Sequence, residues 1–216
     1  LQRLMLVFME HASGYLLMEK VAADRSYDTW YDFAKARLQT FGIGVLYLVS
    51  DRAKALVKLA HTGLGCLSIP DLFHLSHDLA KAYSLSIFSR LRQAQRALVQ
   101  ARQRLEALLA SEPQGTQVEQ AQAAVAACEA SVPRWQGVRS AWKQHLCNLS
   151  RIMHPWRLVD SSRQSSQAVE CQLQAELQAL ETLLKTNELP VKPGTLDKVR
   201  RQLAGVSALI DFWWQT

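Results

Sequence analysis

Up to about Lys81 the apolar residues of this chain alternate between short strand-like runs and one-sided helical stripes, and beyond it only helical periodicity remains. A chain with one such change of period is expected to begin as an α/β layer and continue as packed helices. The opening run Leu4 to Phe8 and the run Tyr15 to Val21 flank His11-Ala12-Ser13-Gly14, the pattern of an antiparallel hairpin. From Thr29 to Phe41, Trp30, Phe33, Ala34, Leu38 and Phe41 share a helical face, ended by Gly42 and Gly44. Val45 to Val49 is a continuous apolar run, as in strands buried on both faces, and it stops at Ser50-Asp51-Arg52. A helix over about Ala53 to Thr62, a short strand within Leu67 to His74 and a helix from His74 to Tyr83 complete the first region.

The helical region opens on a heptad seam: Leu91, Leu98 and Leu105 at one position, Ile87, Ala94, Ala101 and Leu108 at the other. A turn at Glu112-Pro113-Gln114-Gly115 and the capping-box spacing Thr116 to Glu119 start a return helix with Val118, Ala121, Val125, Cys128, Val132 and Trp135 on its seam. The pair reads as an antiparallel coiled-coil hairpin, with Pro133 expected to kink or interrupt the return arm. Two further stripes follow: Val169, Leu173, Leu177, Leu180 and Leu184, then Leu196, Val199, Leu203, Val206, Ile210 and Trp213. Leu189 to Gly194 connects them, with Thr195 as N-cap. Three segments are expected: 1–83, 84–150 and 151–216, the last continuing beyond a chain that looks cut at both ends.

With 25 lysines and arginines against 19 acidic residues the net charge is +6, which permits a polyanionic partner without requiring one. The four cysteines are far apart with no C-x-x-C pair, so neither a zinc knuckle nor a disulfide framework is indicated, and a reducing cytoplasm suits them. No segment has membrane-span length, so no membrane partner is expected.

Asp51 ends an apolar strand, where α/β sheets present functional side chains, and Arg52 and Lys54 flank it. Convergent carboxylates there could hold divalent cations for phosphoryl transfer. On position alone, an aspartate that caps the next helix is the commoner arrangement, and the two roles are compatible. Glu10 reads as a solvated turn residue, and Glu170, Glu176 and Glu181 as a wet helix face. His74 and His77, beside Asp71 and Asp78, have a spacing found in some helical metal sites, although one capping and one surface histidine is the commoner arrangement. Arg90, Arg92 and Arg96 stud the first hairpin arm, where they suit DNA phosphates or an ordinary solvated face. The tryptophans could stack on bases, but packing is their more common use.

The stretches Ser13-Gly14-Tyr15-Leu16-Leu17, Asp24 to Trp30, Val49-Ser50-Asp51-Arg52-Ala53-Lys54-Ala55-Leu56 and Asp71-Leu72-Phe73-His74 resemble a family of bacterial DDE-type transposases with an RNase H-like core. The likeness extends to His154-Pro155-Trp156 and Asp211-Phe212-Trp213-Trp214. It implies a partial RNase H-like sheet followed by a mostly helical insertion, with Asp51 as the second catalytic acid and a Mg2+ ligand. The first acid is expected on a strand ahead of Leu1 and the third on a helix beyond the insertion, so the fragment alone is not expected to cut DNA. The implied partners are transposon ends and target DNA, with a homo-oligomer in the complete transposase. Arg52, Lys54, Arg90, Arg92 and Arg96 become candidate DNA contacts, and His74 a residue supporting the site or touching DNA. The competing reading is a non-catalytic helical interaction or DNA-binding module.

Overall fold

The computed structural model describes residues 3–11, 13–111, 115–157 and 159–215. The chain is mixed α/β and mostly helical, and it divides into two compact units. The first comprises Leu1–Leu75, Met153–Gln172 and Arg201–Thr216; the second comprises Ser76–Ile152 and Leu173–Arg200. The three segments read from the sequence differ from this division, because one helix runs unbroken through position 83 and the chain returns twice to the first unit.

In the first unit, β1 (Leu4–Met9) pairs antiparallel with β2 (Leu16–Ala22). Glu10 closes the turn: its N–H donates to the Tyr15 carbonyl at 2.8 Å, and its Oε2 accepts from the Ser13 N–H at 2.6 Å. Gly14, at φ 69°, takes the left-handed position that a side chain would resist. Alternation puts Leu6, Phe8, Met18 and Ala22 on the face covered by helix α1 (Tyr27–Phe41), which contributes Trp30, Phe33, Ala34 and Leu38. Ser26 caps α1 by accepting the Thr29 N–H at 3.3 Å. Phe41, expected on the buried face, is exposed, because the helix closes at Gly42 just after it.

Strands β3 (Tyr47–Ser50) and β4 (Leu67–Pro70) pair in parallel, joined by α2 (Lys54–Lys58) and a π-helical turn, Leu59–Leu64. The expected helix from Ala53 to Thr62 is thus short and widens in its second half. Gly63 there faces the Tyr31 ring of α1, where an added Cβ would come to 2.9 Å, so the close approach requires glycine. Helix α7 (Leu203–Gln215) packs on β4, with Gly205 against Pro70.

Two features depart from the expected sheet. The strands form two separate two-stranded ladders, because no described strand bridges β1 and β3. All four residues of β3 are half-buried rather than buried on both faces, since only one edge of β3 is paired.

The second unit is all helix. Helix α3 (Leu72–Leu109), most of which lies here, runs antiparallel to α4 (Gly115–Ile152): Tyr83 meets Trp142, Phe88 lies under the Arg139 guanidinium, and Arg102 pairs with Glu129 at 2.7 Å. The expected seams are the protected positions, from buried Ile87, Leu91 and Ala94 to half-buried Leu98, Ala101, Leu105 and Leu108. Most of the expected turn at Glu112 to Gly115 lies outside the described residues. Helix α4 continues through Pro133, which is exposed; the one hydrogen bond missing there is outweighed by a seam that packs on both sides.

Helix α5 (Ser166–Thr186) belongs to both units, and its stripe Val169, Leu173, Leu177, Leu180 and Leu184 is fully buried. The last stripe is two helices, α6 (Pro193–Arg200) and α7. Pro193 starts α6, since a first-turn position needs no N–H, so Thr195 lies inside the helix rather than capping it. Trp213, expected on the stripe, is 44% exposed. No described helix is long and apolar enough to cross a membrane, and all four cysteines are free thiols.

Candidate functional site

Parallel pairing in register from Tyr47↔Leu67 to Ser50↔Pro70 sets the geometry of the site. Asp51 and Asp71 each follow the last residue of a strand, so two carboxylates arise at neighbouring strand ends. The Asp71 N–H donates to the Ser50 carbonyl at 2.9 Å, extending the ladder by one step. These are the C-terminal ends, where α/β layers present ligand-binding groups. Strict sequence periodicity did not single out Asp71 as a partner for Asp51. The readable signal is that both follow four-residue strands, Tyr-Leu-Val-Ser and Leu-Ser-Ile-Pro.

The two aspartates are held differently. Asp51 is exposed, and its Oδ1 accepts the Ala53 N–H at 2.8 Å in a local turn. It does not cap α2, whose N-cap is Ala53. Its Oδ2 has no protein donor among the described residues. Between them, Arg52 takes φ 59°, a left-handed conformation costing a residue with a Cβ roughly 1–2 kcal/mol. The turn that presents Asp51 is therefore built against local preference, a pattern that clusters at functional sites.

Asp71 holds the first turn of α3. Its Oδ1 accepts the Phe73 N–H at 2.9 Å, and its Oδ2 accepts from His74 Nδ1 at 2.8 Å. Nδ1 is the His74 ring nitrogen engaged in this contact, and the ring is about half exposed. His74 thus touches Asp71, not Asp51. The His74 and His77 spacing builds no metal cage: among the described residues no group of three or more His, Cys, Asp or Glu side chains is placed to hold an ion. Asp78 is instead paired with Lys198 at 2.5 Å.

The candidate DNA contacts fall in two places. Arg52 and Lys54 are exposed in the first unit, beside Asp51; Arg90, Arg92 and Arg96 are exposed on α3 in the second. None of the five forms an ion pair among the described residues. Arg92 and Arg96 flank a shallow groove along α3 with Gln95, Val99, Gln100 and Gln103. Arginines and glutamines on one open face can donate hydrogen bonds to phosphate oxygens.

Several residues read as surface are structural. Glu176 accepts from His145 Nδ1 at 2.7 Å and from Asn148 at 3.0 Å, tying α5 to α4. Glu181 is bound by Lys185 and Arg200, whose hydrogen bonds hold its carboxyl below the usual range. Neither belongs to a plain wet face, because distant chain segments fold over them. Trp135 and Trp142 are buried between helices. The His154-Pro155-Trp156 and Asp211 to Trp214 blocks come together in the first unit. Trp156 meets Trp214 edge-on with centroids 5.0 Å apart, Arg163 lies over both rings, the Trp214 indole N–H donates to the Gln164 carbonyl at 2.9 Å, and Asp211 accepts the Ser166 N–H at 3.2 Å. These aromatic groups are engaged in packing one another.

Comparison of this chain with protein-family models, with curated proteins and with solved structures gives no match.

Proposed function

We propose that this chain is part of a DDE-type DNA transposase with an RNase H-like core, and that Asp51 is one of its catalytic acids. The observation that carries this reading is the pair Asp51 and Asp71 at adjacent C-terminal ends of a parallel ladder, with Arg52 and Lys54, which form no ion pair among the described residues, beside Asp51. The element order supports it: hairpin, helix, strand, helix, strand, helix. The reaction class is phosphodiester cleavage and strand transfer on transposon ends and target DNA.

Mg2+ fits the chemistry of this donor set in part. Carboxylate oxygens suit a hard cation, and Asp51 Oδ2 and the spare lone pairs of Asp71 could serve as ligands. A two-metal centre needs more convergent carboxylates than these two, and the described residues supply no third. The remaining acids belong to the complete transposase, and so does the homo-oligomer. What these residues do themselves is narrower: Asp51 presents a fixed negative charge at a strand end, and Arg52 and Lys54 draw a phosphate backbone toward it. His74 holds Asp71 in one rotamer.

A second reading, a helical interaction module, is favoured by the long α3–α4 hairpin, whose seam is protected along its length. DNA binding separates the two. The chain is expected to bind duplex DNA with an affinity that falls steeply as salt rises, and Arg92→Ala with Arg96→Ala should flatten the logarithmic salt slope by about 2, roughly one for each phosphate no longer neutralised. Fluorescence anisotropy across a salt series measures it. Binding that does not vary with salt, or a slope untouched by the double substitution, removes α3 as a DNA surface.

A further inference from the structure

The β1–β2 hairpin buries one of its faces and leaves the other open. Leu6, Phe8, Met18 and Ala22 lie under α1, and alternation turns Met5, Val7 and Met9 the opposite way. Their cross-strand partners on β2 set the composition of the open face: Met5 lies opposite Val21, Val7 opposite Glu19, and Met9 opposite Leu16. An antiparallel ladder with one solvated side normally turns polar residues to water. Here Met5 is 64% exposed, Met9 61% and Val21 56%, side by side on one surface. A contiguous apolar patch of this kind marks an interaction site, whereas apolar residues exposed singly need no explanation. Phe73, Leu85 and Val99, exposed far apart along α3, are of the second kind.

The charges on this face decide what fits it. Glu19 is exposed among the apolar side chains and forms no ion pair among the described residues. Arg3, one position ahead of β1, continues the alternation onto the same side; it too is exposed and outside any ion pair among the described residues. Met5 lies midway along the strand between Arg3 and Val7, the residue opposite Glu19. A two-fold axis laid across the strands at the level of Met5 and Val21, midway between two such faces, therefore sets Arg3 of each copy against Glu19 of the other. Met5 and Val21 then meet their own copies at the centre, and sheets about 10 Å apart hold one layer of such side chains. A pairing centred on Val7 instead brings two Glu19 carboxylates together, and like charges oppose it. Charge thus selects one register. The patch is small, with on the order of 1,000 Å² buried over both copies, at the lower limit for a specific interface, so the pair forms and separates with concentration.

We propose that the open face of the β1–β2 hairpin is a self-complementary docking surface on which two copies of this chain pair about a two-fold axis, Arg3 of one against Glu19 of the other. The proposal rests on the exposure and charge of that face and stands or falls separately from the transposase reading.

Sedimentation of the full chain over a concentration series tests it. A closed dimer is expected, with a dissociation constant of roughly 10–100 µM. Glu19→Arg sets like charges against Arg3 and should weaken pairing by on the order of tenfold or more, as should Arg3→Glu. The double variant restores both ion pairs with their signs exchanged, and its dissociation constant should return close to that of the unsubstituted chain. Recovery in the double variant also separates lost pairing from lost folding, which melting curves of all three variants check directly. Three outcomes overturn the proposal: a monomer throughout the series, which would mean that a different partner covers this face; association untouched by Glu19→Arg, which would place the contact elsewhere; or a double variant that pairs as weakly as the single ones.

Discussion

In a polypeptide that carries the remaining catalytic acids, Asp51→Asn is expected to lower strand transfer by about a thousandfold or more while leaving thermal stability nearly unchanged. The two halves of this expectation come from different atoms. An asparagine oxygen can still accept the Ala53 N–H, now bonded to Asp51 Oδ1 at 2.8 Å, so the turn survives. What the substitution removes is the negative charge and the second carboxylate oxygen, which has no protein donor among the described residues. If Asp51 served only to close its turn, activity would persist in the asparagine variant and fall in Asp51→Ala together with stability. A strand-transfer assay run beside a melting curve on both variants separates these cases. His74→Ala should have a smaller effect, since its hydrogen bond is to Asp71.

The largest effect on stability is expected at Trp142. Its side chain is 1% exposed, it meets Tyr83 edge-on at 5.8 Å, and its indole N–H donates to Ser84 Oγ at 3.3 Å. Trp142→Ala removes the largest buried side chain of the second unit and should cost about 3–5 kcal/mol, through reduced burial and an unfilled cavity. Trp142→Phe retains the ring packing and gives up the hydrogen bond, so a cost of about 1–2 kcal/mol is expected. Denaturant unfolding of the full chain, monitored by far-ultraviolet circular dichroism, measures both. A destabilisation below about 1 kcal/mol for the alanine variant would mean that this residue does not hold α3 against α4.

How much of this was legible depended on whether the deciding interaction was local. The buried stripe of α5, the α3 seam and the Trp30, Phe33, Ala34 and Leu38 face of α1 follow from helical period, and they stand at the residues read from the sequence, whereas the Ser26 cap of α1 was not among them. Periodicity cannot say which strand neighbours which, so the split into two ladders was hidden, and with it the half-buried state of β3. Glu176 and Glu181 were misread as wet because their partners, His145 and Arg200, lie far away in sequence. For the tryptophans packing was the commoner reading, but that Trp156 and Trp214, remote in sequence, pack edge to face on each other was not readable. For the site, the strand end at Asp51 was readable from the apolar run that stops there. Its relation to Asp71 needed the parallel register, and the strained Arg52 backbone between them leaves no signature in a sequence without glycine at that position.

The proposed transposase function requires the β3 and β4 ends to contribute to a divalent-cation site. Paramagnetic broadening by Mn2+ in nuclear magnetic resonance spectra of the chain tests it directly. The amides of Asp51 and Asp71 are expected to broaden at lower Mn2+ than those of Glu19 on β2 and Glu106 on α3, exposed acids of other elements, and Asp51→Asn should abolish that preference. Broadening that reaches Asp51, Asp71, Glu19 and Glu106 together, or a preference that survives Asp51→Asn, would contradict it.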